Sequence, residues 1–120
     1  MDNPSIMRLV GQELDMVSFV RDYVQLRIDY SVVTALAVVR GSIGGASWRL
    51  GDDCSADWLR KYISRTVTAV EVIEDERIVL MFGADRIELS LRQEDRTGPE
   101  AVHFVLAGED GRPSGVWSVW

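Results

Sequence analysis

The chain holds one thiol, Cys54, and one imidazole, His103. Such a pair can do nucleophilic chemistry when sulfur and ring nitrogen lie within hydrogen-bond reach. A third group must then orient the base, and donors must face the developing oxyanion. Cys54 stands before a stretch with helical spacing, where a helix N-terminus can lower a thiol pKa. Against this, a lone Cys or His in a small domain usually packs or lies at the surface. With Trp58 and Tyr62 they are candidates for lining a pocket between two halves of the fold or under the helix. That would make the protein a small-ligand binder or a minor enzyme.

Other constellations fall short on count or spacing. One Cys and one His cannot close a zinc site, and Asp52, Asp53 and Asp57 lack the alternation and central Gly of a calcium loop. Gly41-Ser42-Ile43-Gly44-Gly45 lacks the Lys-Ser/Thr of a P-loop and the GxGxxG pattern. Glu71 and Glu88 lie on polar faces of expected strands and can come close, but Arg86 and Arg92 are at hand to pair with them. We therefore assign no catalytic residue, no metal ligand and no cofactor.

Two features suit a protein partner instead. Trp48, Trp117 and Trp120, with Arg49 or Arg112, have the aromatic and arginine composition of interface anchors. Glu74, Asp75 and Glu76 form an acidic tip between two strands, which either keeps a hairpin solvated or meets a basic partner. The formal charge is −6 and the pI about 4.7. That acidity disfavours general nucleic-acid binding, which needs a basic face to displace counterions, and leaves a basic protein partner open.

The bounds set by composition are ordinary. The 120 residues, 47% of them apolar, suit one soluble domain spanning 1–120. A single cysteine excludes an intrachain disulfide and fits a reducing compartment. No apolar run reaches the ~18 residues of a membrane helix. The start, Met1-Asp2-Asn3-Pro4, is acidic and turn-like, unlike a signal peptide, so the expected location is the cytoplasm. Among the 13 basic residues only Lys61 is lysine, which suggests a GC-rich, bacterial coding sequence.

The elements that must position these residues are mostly strands. Ile87, Leu89 and Leu91 alternate with polar neighbours, as do Val24, Leu26 and Ile28, and Val70 and Val72 flank Glu71. Ile78–Phe82 is apolar throughout and suits a strand covered on both faces; Val32–Val39 reads as one strand. Val102, Phe104 and Leu106 point one way, His103 and Val105 the other, and Val116–Trp120 forms a last strand. Asp52–Ser64 breaks the pattern. Ala56, Leu59 and Ile63 predict a helix over about 54–63, N-capped by Ser55 or Asp53, with its Leu59 and Ile63 face covering the sheet. A short helix within 5–12 is expected, as are a flexible joint at Gly41–Gly45, a turn over 93–100 and a hairpin loop over 108–115.

The chain also resembles itself. Gly11 to Asp22 sets over Ser64 to Asp75, placing Leu14 on Val67, Val17 on Val70, Phe19 on Val72, Val20 on Ile73 and Asp22 on Asp75. With one inserted residue, Leu26 falls on Leu80, Ile28 on Phe82, Val33 on Ile87 and Ala35 on Leu89. The period is about 53 residues. We expect a mainly β (α+β) domain, an antiparallel sheet or barrel-like sandwich. It is built from two three-stranded meanders, 11–39 and 64–92, plus a C-terminal hairpin, with the helix between the repeats.

Gly11-Gln12-Glu13-Leu14, the run Phe19 to Leu26, and a short helix ahead of Ser64-Arg65-Thr66-Val67 resemble a loose group of small uncharacterised bacterial proteins. Some of these look similar to immunity-type proteins that neutralise toxins. The resemblance carries no catalytic residues across; small size, acidity, absent catalytic motifs and spare tryptophans lead us to expect a non-enzymatic interaction module, immunity- or adaptor-like. The uncharged edge Val116–Trp120 also invites a homodimer through the last strand.

Overall fold

The computed structural model describes residues 5–21 and 23–120. The start Met1–Pro4 and the alignment of Asp22 with Asp75 lie outside the described residues. The first meander is β1 (Leu14–Val20), β2 (Tyr23–Ile28) and β3 (Ser31–Ala35). A hairpin follows, β4 (Val39–Ile43) and β5 (Ala46–Arg49), and then a helix, α1 (Ser55–Arg60). The second meander is β6 (Ala69–Ile73), β7 (Arg77–Phe82) and β8 (Asp85–Ser90), and the last hairpin is β9 (Val102–Ala107) and β10 (Pro113–Val119).

These strands form two antiparallel five-stranded sheets, ordered β1-β2-β3-β9-β10 and β5-β4-β8-β7-β6. Each sheet is a meander with a hairpin from the other half of the chain laid beside its third strand. The strands do not close into a barrel, which decides between the two arrangements that the sequence left open.

The alternating residues land as their period demands. Val24, Leu26, Ile28, Val33, Val102 and Phe104 of one sheet and Ile78, Leu80, Phe82, Ile87 and Leu89 of the other are all 2% exposed or less and belong to one apolar cluster. Val79 faces outward yet is also buried, so the apolar run of β7 is covered on both sides along Ile78–Leu80. Side chains of this size stabilise by about 1.5–3 kcal/mol each when fully buried, which makes this core the main source of stability.

Several expectations need correction. Val32–Val39 is not one strand. β3 ends at Ala35, and the chain crosses between sheets over 36–38, where Leu36 N–H donates to Ala101 O (2.7 Å) and Val38 N–H to Asp95 O (3.2 Å). Gly41–Gly45 is not a flexible joint. Gly41 lies inside β4, opposite Trp48, and only Gly44 and Gly45, both at positive φ, make the tight turn to β5.

α1 is shorter than expected, and Cys54 occupies its N-cap position in a left-handed conformation. Ser55 instead accepts a bond from Gly51 N–H through its Oγ (3.0 Å). Leu59 and Tyr62 are the buried pair of this segment, whereas Ile63 is exposed. The leading helix is a single 3-10 turn, Ile6–Leu9, and β10 begins at Pro113, earlier than Val116.

At one corner the sheets touch through backbone. Gly11 N–H donates to Val67 O (2.7 Å) and Ser64 N–H to Leu14 O (2.7 Å); Leu14 N–H donates to Arg65 O (3.0 Å) and Val67 N–H to Gln12 O (2.8 Å). Glu13 and Thr66 face each other at its centre.

Candidate functional site

The two sheets turn different surfaces to solvent. Register across the first sheet aligns Met16, Arg27, Val32, Val105 and Trp117 in one outward row, and Ser18, Gln25, Thr34, His103 and Val119 in the next. Arg27 is the one Lys, Arg, Asp or Glu in these rows. Its Nε donates to Asp15 (3.0 Å), which holds its guanidinium more firmly protonated, and its guanidinium carbon stands 5.4 Å from the Tyr30 ring centre. Val105, Trp117 and Val119 are 37%, 67% and 40% exposed.

The second sheet presents Glu71, Val79, Glu88, Arg40 and Arg49 in one row and Ala69, Met81, Arg86, Ser42 and Ser47 in the next. Here the charges interlock. Glu88 is bound by Arg86 (2.9 Å) and Arg77 (3.6 Å), and Glu76 by Arg92 (3.7 Å) and Arg77 (3.9 Å). Glu71 and Glu88 are kept on separate strands with Val79 between them. An antiparallel sheet with one wet face normally makes that face polar, as the second sheet does. The first sheet follows this rule in the row of Ser18, Gln25, Thr34 and His103, whereas its other row is apolar but for Arg27.

The tryptophans do not form one patch. Trp48 is buried on β5, donating its indole N–H to Tyr62 Oη (3.0 Å) beneath the second sheet, so it is withdrawn from any partner. Trp120 is half-buried against the core, with its N–H on Val102 O (2.9 Å). Trp117 alone stands out from the surface, on β10 of the first sheet. In the acidic tip Asp75 takes the left-handed turn position, and Glu76 is engaged by the two arginines already named.

The four expected pocket residues are dispersed as well. Cys54 is exposed and lines an open cleft of about 810 Å³ with Phe19, Tyr23, Leu50 and Asp52. Trp58, Tyr62 and His103 are not in its walls. Trp58 packs against the core with Lys61 Nζ 4.3 Å from its ring centre, and His103 Nε2 lies 2.7 Å from Glu100 Oε2. Burial pushes the Tyr62 hydroxyl up to about 12, against a smaller opposing pull from Trp48, so it stays a neutral structural group. Among the described residues, neither the cleft nor these contacts bring a nucleophile, a base and an oxyanion site together.

Among the described residues no group of three His, Cys, Asp or Glu is arranged to hold a metal ion, and no helix is long and apolar enough to cross a membrane. Comparison with family models, curated proteins and solved structures finds no match to this chain.

Sequence reasoning saw that Val105 points away from Phe104, yet it did not assemble the face around it. Met16, Val32 and Val105 are ordinary strand residues in sequence. Only cross-strand register brings them into line with Trp117.

Proposed function

We propose that this chain is a non-enzymatic protein-interaction module of the immunity or adaptor kind, and that it binds through the outer face of its first sheet. The reading is carried by the row Met16, Arg27, Val32, Val105 and Trp117, an uncharged surface but for one neutralised arginine, beside a second sheet armoured with ion pairs. Contiguous exposed apolar surface on a small domain marks an interaction site. The partner is a basic protein. A net charge of −6 steers it in, and the uncharged face supplies the close contact. The setting that fits one unpaired cysteine is a bacterial cytoplasm.

The two halves are, in this reading, copies of one five-strand unit that exchange their hairpins. Glu13 and Thr66 are one period apart and face each other, and the four hydrogen bonds around them interchange in pairs under that period. The same exchange carries Ala35–Val102 onto Leu89–Val39, and Val33–Phe104 onto Ile87–Gly41. It also carries the buried Ile6 and Leu9 onto Leu59 and Tyr62. Such a relation is what a pseudo-twofold axis through the 11–14/64–67 corner requires. One copy then kept a charged outer face while the other became the binding face.

The test is affinity purification of the tagged protein from its host at low and moderate salt, alongside Val105→Asp. The expected result is a basic, salt-sensitive partner at near-equal amount that Val105→Asp loses while its circular dichroism is unchanged. A partner retained by Val105→Asp, or none captured at either salt, overturns the reading.

A further inference from the structure

The four sheet edges are not equally protected. β5 is four residues long, ends at Arg49 and lies beside α1. β6 carries Glu71 and packs with the Ile6–Leu9 turn. β1 carries Asp15, and its start is paired with 64–67. Short strands, charges and covering segments are the usual defences against edge-to-edge pairing. β10 has seven residues and no charge. Its first half is guarded by Pro113 and a bulge that ends at Trp117, but Trp117–Val119 runs in regular register with β9.

The orientation of the backbone groups follows from that register. Trp120 N–H donates to Val102 O (2.9 Å) and Val102 N–H to Trp120 O (3.4 Å), so this is a hydrogen-bonded pair. Alternation along an antiparallel ladder then turns Ser118 toward β9 and leaves the N–H and C=O of Trp117 and Val119 aimed out of the sheet. Their side chains, 67% and 40% exposed, stand on the outer face.

We propose that a second copy of this chain fills that edge, with β10 pairing antiparallel to its mate about a twofold axis at Ser118. Trp117 of each copy then lies opposite Val119 of the other, exchanging two backbone hydrogen bonds on each side of the axis. The occupant is a second copy because twofold pairing sets a strand against its own sequence. Like charges opposed in this way are destabilising, and this stretch of Trp, Ser and Val has none. The molecule is otherwise strongly acidic, so an uncharged strand is where two copies can approach. Pairing also joins the Met16–Trp117 row of each copy to the Ser18–Val119 row of the other. The contact is small, so the dimer is weak and concentration-dependent.

Sedimentation equilibrium from about 10 to about 500 µM reads it directly. The expected result is a reversible monomer–dimer equilibrium whose dissociation constant rises at least ~10-fold in Val119→Pro. Proline there removes an N–H that the sheet does not use, so the variant keeps its circular dichroism and melting temperature within a few degrees. Val119→Glu is a second variant that keeps the N–H and sets one further negative charge on each side of the axis between two acidic copies, and it also weakens the dimer. A wild type that stays monomeric throughout overturns the proposal, leaving the edge to a strand of another protein; so does a dimer that both variants retain. Val105→Asp lies off this edge and leaves the dimer in place, so this outcome is separate from that of the partner-binding face.

Discussion

Trp48 and Tyr62, on either side of α1, are tied by an indole N–H···O bond of 3.0 Å. The same hydroxyl reaches the carbonyls of Ser42 (2.9 Å) and Arg86 (2.8 Å), sharing its one proton between β4 and β8. Its ring stacks edge-on between Trp48 and Phe82, with centroids 5.9 and 5.2 Å away. Tyr62→Phe keeps the ring but leaves a buried N–H and two carbonyls without this partner. The expected loss is about 1–3 kcal/mol in urea unfolding, with the fold retained.

The alkaline limb of stability belongs to the same hydroxyl. Its folded value is raised by burial to about 12, above the ordinary 10.0. The folded state therefore holds the proton more tightly than the unfolded chain. This contribution is complete below about pH 10 and is lost as pH rises toward about 12. Denaturant midpoints across that range are expected to fall in the wild type and to fall less in Tyr62→Phe.

Gly41 is expected to tolerate no side chain. A Cβ there would fall on the Trp48 ring and 2.6 Å from the Arg86 carbonyl oxygen. The indole fills the space above the strand, and relieving the clash means displacing either β5 or the β4–β8 ladder. Gly41→Ala is expected to cost about 1–3 kcal/mol by thermal or urea unfolding. Gly44→Ala has open space around it and is strained only through its positive φ.

Asp85 governs the acid side. Gly44 N–H (2.9 Å) and Arg65 (3.0 Å) both bind its carboxylate, the backbone bond first in effect, and hold it below the usual carboxylate range. A lowered folded value means that the stabilisation is present above the ordinary 3.8 and is lost as pH falls through the folded value. Asp85→Asn is expected to be less stable than the wild type at neutral pH. The gap between them narrows below about pH 4, which urea midpoints at several pH values would read.

Much of the β architecture was legible because burial imposes a period of two. Ile87, Leu89 and Leu91 announce a strand and its inner face without reference to anything distant. The self-alignment found both meanders for the same reason. It stopped at residues 39 and 92, where the two halves differ. β4–β5 closes on a two-residue turn and β9–β10 on a longer loop, so their hydrophobic patterns no longer align. Gly41 read as a loop residue because glycine usually marks a break. Here it marks the close approach of an indole supplied from the next strand.

The amino-acid sequence by itself determined the strand-rich class, the helix between the halves and the inner faces of the alternating strands. Alternation is local, and it holds wherever the strand ends up. The tertiary structure alone decided which sheet each hairpin joins, that Trp48 is buried while Trp117 is exposed, and that Met16, Val32, Val105 and Trp117 share a row. Strand pairing joins residues far apart in the chain, and no local preference specifies the partner. That choice is made by which arrangement of all ten strands buries the inner faces and satisfies the backbone together.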